Sequence, residues 1–179
     1  MLYGEWTLPE VRSDGYAILV EGESDTQTLW LLGLRALGVP GASTYKPDWT
    51  ERLQGLKLYL HIEPDRGGQV FLEQMTRKLR DGGFEGEVYQ WSCKQFGVKD
   101  PSDLYIQCGK DEAAEKVRHA LRDAKRIDLA DLAASIPVAI KDAPLHLRQP
   151  AGFIYDEQGI HLIDEKTSQP VMVCRTSFR

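Results

Sequence analysis

The sequence predicts an α/β fold, an open and mainly parallel sheet flanked by helices, with a short β-rich appendage at the C-terminus. Three observations predict it. Tyr16-Ala17-Ile18-Leu19-Val20 is an uninterrupted apolar run, the pattern of a strand buried on both faces of a parallel sheet. Leu56 to Ile62 alternates with period two, placing Leu56, Leu58, Leu60 and Ile62 on one face of a second strand. Each of these runs leads into a helical pattern before another strand pattern appears, and strand, helix, strand, helix, strand implies an open α/β sheet.

The elements follow in order. After the turn Glu21-Gly22-Glu23, Ser24 and Gln27 have the spacing of a capping box. Leu29, Trp30, Leu32, Leu34 and Leu37 supply the apolar face of a helix that is expected to end at Gly38. Val39 to Thr44 is a weaker strand pattern, and Lys46-Pro47-Asp48-Trp49 opens a short helical turn with proline near its start. The Leu56–Ile62 strand ends in Glu63-Pro64-Asp65. A helix then runs through Val70, Phe71, Met75 and Leu79 until Gly82-Gly83 stops it, and Glu87 to Trp91 is the next strand. Asp111 to Lys125 reads as a helix with nearly balanced charge, and Leu129 to Ile136 as one more. Residues 1–142 are therefore assigned to the α/β domain and its closing helices. Ala143 to Ala151, with Pro144 and Pro150, reads as a linker. Residues 152–179 hold three short strand patterns, Phe153–Tyr155, Ile160–Ile163 and Val171–Cys174. So short a β segment buries little core alone, and it reads as the start of a following domain in a larger protein.

Composition narrows the function classes. The 179 residues carry 42% hydrophobic and 27% charged side chains, ordinary for a globular protein, and no apolar run approaches a membrane span of about 18 residues. The N-terminus Met1-Leu2-Tyr3-Gly4-Glu5-Trp6 has no secretory pattern, so a cytoplasmic location with no membrane partner is expected. Cys93, Cys108 and Cys174 are widely spaced and form no C-x-x-C pair for zinc or redox work. A net charge of −5 argues against a surface dedicated to gripping nucleic-acid phosphates, and no G-K-[ST] phosphate loop is present for a motor. The histidines are scattered, with His61 read as a polar residue on a strand face, and Trp30, Trp49 and Trp91 are expected in the core.

Functional groups collect outside the carboxyl ends of strands in such sheets, and here those ends are acidic. The first strand delivers Glu21 and, one turn into the helix, Asp25; the second delivers Glu63 and Asp65. Carboxylates gathered at one edge repel unless a cation neutralises them, and Mg²⁺, held by one or two carboxylates with substrate phosphates completing its shell, is the natural resident. Plainer readings stand beside these. Asp65 also fits the N-cap of the helix that starts near Arg66, Asp25 an acid favoured in a first turn, and Glu21 and Glu23 solvated turn residues.

Val20-Glu21-Gly22-Glu23-Ser24-Asp25 and Glu63-Pro64-Asp65-Arg66-Gly67-Gly68 resemble the two signature motifs of the Toprim domain. That family includes primases of the bacterial type, topoisomerases and small nucleases. Lys99-Asp100-Pro101-Ser102-Asp103-Leu104 is similar to a third segment found in the primase branch, and the resemblance spans roughly residues 3 to 110. In overall style the chain is similar to primase-helicase proteins of phages and mobile elements. Where the family's D-x-D begins with aspartate, this chain has Glu63, one methylene longer.

The resemblance implies a DNA primase module that contributes to metal-assisted nucleotidyl transfer in primer synthesis. Mg²⁺ or Mn²⁺ would be held by Glu63, Asp65 and Asp100, with Glu21 as a further ligand or as the base for a primer hydroxyl, and Asp25 in support. Lys99 and Arg66 would contact phosphate or form exposed ion pairs. Nucleic acid and nucleoside triphosphates would be met through the full-length protein, with adjoining primase and helicase domains. A Toprim nuclease and a catalytically inactive positioning module are the alternatives. Nothing in the rest of the chain resembles the domain that carries a topoisomerase's nucleophilic tyrosine.

Overall fold

Burial on both faces makes Tyr16–Glu21 (β1) an interior strand of the sheet: Ala17 and Leu19 point into one core, Ile18 and Val20 into another, all fully enclosed. The structure, a computed structural model, describes residues 1–41 and 44–130, and the backbone of 153–156, 159–163 and 170–175. The chain divides into two units, residues 1–133 and 134–179.

In the first unit β1 pairs in parallel with Ala36–Val39 (β2) and with Lys57–His61 (β3), and β3 pairs in parallel with Val88–Trp91 (β4). Lys125–Ile127 (β5) closes the far edge antiparallel to β4, giving the order β2-β1-β3-β4-β5. One face is covered by Leu8–Asp14 (α1), Pro47–Leu53 (α3) and Arg66–Asp81 (α4), which contribute Val11, Trp49, Leu53, Phe71, Met75 and Leu79. The other is covered by Glu23–Leu31 (α2), Pro101–Cys108 (α5) and Lys110–Arg122 (α6), through Leu29, Leu104, Ala113 and Val117. Trp49 and Trp91 are buried, as expected, and Trp30 packs partly buried against the second core.

Several expectations need correction. The helix read as ending at Gly38 ends at Leu31, and the strand begins at Ala36 rather than Val39. Gly33 takes a left-handed conformation (φ 75°) that breaks the helix, and Leu34 and Leu37 are enclosed where they stand. Gly38 serves close packing instead: a Cβ there would meet Thr26 Oγ1 at 2.7 Å and the Gly22 carbonyl at 2.9 Å. The capping box does not form, because the N-cap is Gly22 and Gln27 instead donates to the Tyr3 hydroxyl at 2.6 Å. Val70 faces solvent, leaving the core stripe of α4 to Phe71, Met75 and Leu79. α6 stops at Arg122, so Lys125 belongs to the edge strand β5, which the sequence pattern does not announce. Helix α1 likewise had no sequence expectation. His61, read as a polar residue on a strand face, is the last residue of β3 and is buried, set edge-on to Trp91 with ring centroids 4.7 Å apart.

Leu129 and Ala130 lie in a turn, and the rest of the helix expected to Ile136 lies outside the described residues, as does the linker at 143–151. The second unit contains the three expected short strands, Phe153–Asp156 (β6), Gly159–Ile163 (β7) and Pro170–Arg175 (β8), joined as an antiparallel sheet.

Candidate metal centre

Parallel strands β1 and β3 end side by side, and their last residues and following turns bring the acids to one edge. Glu21 is the exposed final residue of β1. Asp25 sits in the first turn of α2 and is buried. Glu63 follows β3, and Asp65 caps α4, accepting from the Gly68 amide at 3.0 Å. The helix approaches Glu63 so closely that a Cβ at Gly68 would collide with the Glu63 backbone, so the glycine fixes where that carboxylate stands. From the opposite direction, Asp100 caps α5, accepting from the Asp103 amide at 2.8 Å.

Asp25, Glu63 and Asp100 each present a carboxylate oxygen within 4.8 Å of the others. This grouping spans three elements separated widely in sequence. Of the three only Asp25 is buried, and Ser102 holds it with two donors on the same oxygen: the hydroxyl at 2.6 Å and the amide at 3.2 Å, both to Oδ1. The second oxygen, Oδ2, is left without a partner among the described hydrogen bonds. Thr28 Oγ1 lies 3.1 Å from Ser102 Oγ and steadies that hydroxyl. Lys99 bridges Glu63 and Asp65, its Nζ 2.9 Å from the first and 3.6 Å from the second.

The electrostatics follow from this packing. Desolvation at the sheet edge, and then the charges of Glu63 and Asp65, push the Glu21 carboxyl up. Burial pushes Asp25 up, against the pull of Ser102's hydrogen bonds. Asp65 is held below the usual carboxylate range, chiefly by the Gly68 amide. Lys99 is raised by its bond to Glu63. The donor set is all carboxylate oxygen, the chemistry that suits Mg²⁺ or Mn²⁺ rather than zinc or copper.

The sequence-derived residues thus fall into two groups. Asp25, Glu63 and Asp100 converge, while Glu21 and Asp65 stand beside them, close enough for Glu63 and Asp65 to perturb Glu21. Lys99 is an ion-pair partner of the cluster, and Arg66 is exposed at the first position of α4. Sequence reasoning missed the role of Ser102, although it lies inside the third motif. Its signal was position, one residue past the proline that starts α5.

No protein-family model matches the chain. Over 81 residues it is 31% identical to DNA primase DnaG of Thermofilum pendens, a match covering 44% of this chain and 19% of that protein, so the matched region spans about a fifth of the relative's length. The crystal structure of the Aquifex aeolicus primase (zinc-binding and RNA polymerase domains) is similar with a TM-score of 0.54 and 20% identity, covering 76% of this chain and 31% of that one. A DNA primase domain from Pseudomonas aeruginosa gives a TM-score of 0.53 and 21% identity over 80% of this chain and 44% of that one. The mixed, mostly parallel five-stranded sheet flanked by helices is thus a fold shared with these two primase structures, the α/β architecture that the motifs implied.

Proposed function

We propose that this chain is the Toprim module of a DNA primase and holds a divalent cation, Mg²⁺ or Mn²⁺, for nucleotidyl transfer during primer synthesis by a larger protein. The observation that carries the reading is the convergence of Asp25, Glu63 and Asp100 at the carboxyl edge of a sheet with the primase fold. These three residues would hold the ion, with Asp65 alongside. Bound there, the ion would neutralise charge developing on a transferring phosphoryl group.

The chain's own residues prepare the site. Ser102 orients Asp25 so that one oxygen is committed to the protein and the other is free for a ligand. Lys99 offsets the repulsion between Glu63 and Asp65. Glu21, its carboxyl raised by desolvation and by the charges of Glu63 and Asp65 and not committed to the cluster, is the residue suited to accept a proton from an attacking hydroxyl. The acidic balance of the chain supports a division of labour in which template and primer are gripped by other parts of the protein.

Primer synthesis on a single-stranded template by the full-length protein tests the reading. Glu63→Gln with Asp100→Asn should abolish synthesis, and a double variant that primes at the unsubstituted rate would contradict it. A plasmid-nicking assay with Mn²⁺ and no nucleoside triphosphate distinguishes the nuclease alternative, for which cutting without triphosphates is expected.

A further inference from the structure

We propose that the outward face of α2, with Trp6 on one flank and Ile106 of α5 on the other, is a docking surface for a partner protein that presents an amphipathic helix with an apolar stripe and basic flanks. The surface lies outside the metal centre and is independent of that reading.

A surface helix normally turns polar side chains to solvent, and α2 does not. Leu29 faces the core, but Trp30 and Leu31 follow it around the helix, and Leu31 is 47% exposed. Gln27, the long polar side chain on that side, is committed to the Tyr3 hydroxyl. On one flank Trp6, 63% exposed, lies edge-on to Tyr3 and Trp30 with ring centroids 5.6 and 5.7 Å away. On the other, α5 touches α2 through Ser102 and Thr28. Both helices start at the edge where Asp25 and Asp100 converge, so they run side by side. One turn beyond Thr28 stands Leu31, and one turn beyond Ser102 stands Ile106, 80% exposed. Three of the five large apolar side chains exposed among the described residues thus gather around this helix, the pattern of an interaction site rather than of scattered surface residues.

The aromatic flank is held rigid from beneath. Trp30 Nε1 donates to the Ala36 carbonyl at 2.9 Å, Tyr3 stacks on the Trp30 ring, and Gly4 leaves room for that ring where a Cβ would collide with it. An exposed tryptophan on a fixed aromatic base loses little freedom when covered, which suits a binding hot spot.

Charge selects the occupant. Exposed acids stand one turn from the anchors: Glu10 after Trp6, Glu23 before Gln27 and Asp103 before Ile106. Of the cations at the far end, Arg35 pairs with Asp14, Arg118 donates to the Leu32 carbonyl, and Lys110 is followed by Asp111 and Glu112. The rim is therefore net acidic. It repels nucleic-acid phosphate, an anionic membrane and, being of like sign, a second copy of this chain, and it attracts lysine and arginine. The seam between two side-by-side helices receives a third helix through side chains spaced three and four apart.

Calorimetric titration of the 179-residue chain tests this, using a synthetic peptide of about 18 residues, long enough to hold a helix, with leucines on one face and lysines beside them. The unsubstituted chain should bind it. Trp6→Ala with Ile106→Ala should weaken binding about tenfold or more at an unchanged melting temperature, and Trp6→Phe with Ile106→Leu should retain most of it. The same peptide with glutamates in place of its lysines should not bind. Absence of binding by the unsubstituted chain, unchanged affinity in the alanine double variant, or equal binding of the glutamate peptide would overturn the proposal. Sedimentation velocity of the chain alone should show a monomer; a dimer lost in the alanine double variant would assign the face to self-association instead. Binding of a single-stranded oligonucleotide that the same variant abolishes would assign it to nucleic acid and equally overturn the proposal.

Discussion

Asp25 depends on Ser102 for its orientation, because both donors fall on one carboxylate oxygen. Ser102→Ala should therefore lower Mn²⁺ affinity by about tenfold, the scale on which outer-shell partners act, and Ser102→Thr should restore it. Equal affinities in all three proteins would show that Asp25 needs no such support. His61 gives a pH signature of its own. Burial lowers its pKa to about 4, and its Nε2 is enclosed with no hydrogen-bond partner among the described residues. In the unfolded chain its ordinary value is 6.5. Above pH 6.5 neither state is protonated there. As pH falls through that value the unfolded chain takes up a proton that the folded one refuses, so stability declines until about pH 4. The expected loss at pH 5 is about 2 kcal/mol relative to pH 7. Glu21 and Asp25 act with the opposite sign, since a raised carboxyl contributes stability at low pH that is lost as pH rises. Urea denaturation of the unsubstituted chain and of His61→Gln isolates the histidine, and the variant should show a flatter profile between pH 5 and 7.

Helix α4 is the element that sets the site, through Asp65 at its cap and Gly68 against the Glu63 backbone. Gly68→Ala should cost about 1–3 kcal/mol in overpacking and displace Glu63, lowering Mn²⁺ affinity along with the melting temperature. Gly67→Ala, where the added Cβ meets only the Asp65 side chain at 3.1 Å, should be milder. What was legible in the sequence follows the same physics. β1 and β3 were readable because burial on two faces or one imposes a distinct pattern. The end of α2 was not, because Leu29 to Leu37 is apolar enough to serve helix and strand alike, and only the left-handed turn at Gly33 decides. The three-residue strand β5 exists through its pairing with β4, a non-local cause with no periodicity to detect. The acids at the strand ends were readable from spacing. That Asp25 and Asp100, rather than Asp65, complete the cluster with Glu63 depends on how α5 docks on α2, which the Ser102 bond records.

At the scale of the whole molecule, the matched region spans about a fifth of the curated primase, and the net charge of −5 argues against a surface dedicated to gripping a template. The isolated chain should accordingly bind a divalent cation without making primers, and primer synthesis should appear only in the full-length protein. Primer products formed by the isolated chain would show that it needs no further domain. The central claim is that carboxylates from α2, the turn after β3 and the cap of α5 form one cation site. Electron paramagnetic resonance titration of Mn²⁺, in which bound ion loses the free-ion signal, tests it most directly. The account predicts binding by the unsubstituted chain that weakens about tenfold or more in each of Asp25→Asn, Glu63→Gln and Asp100→Asn. A triple variant that binds Mn²⁺ as tightly as the unsubstituted chain would contradict it.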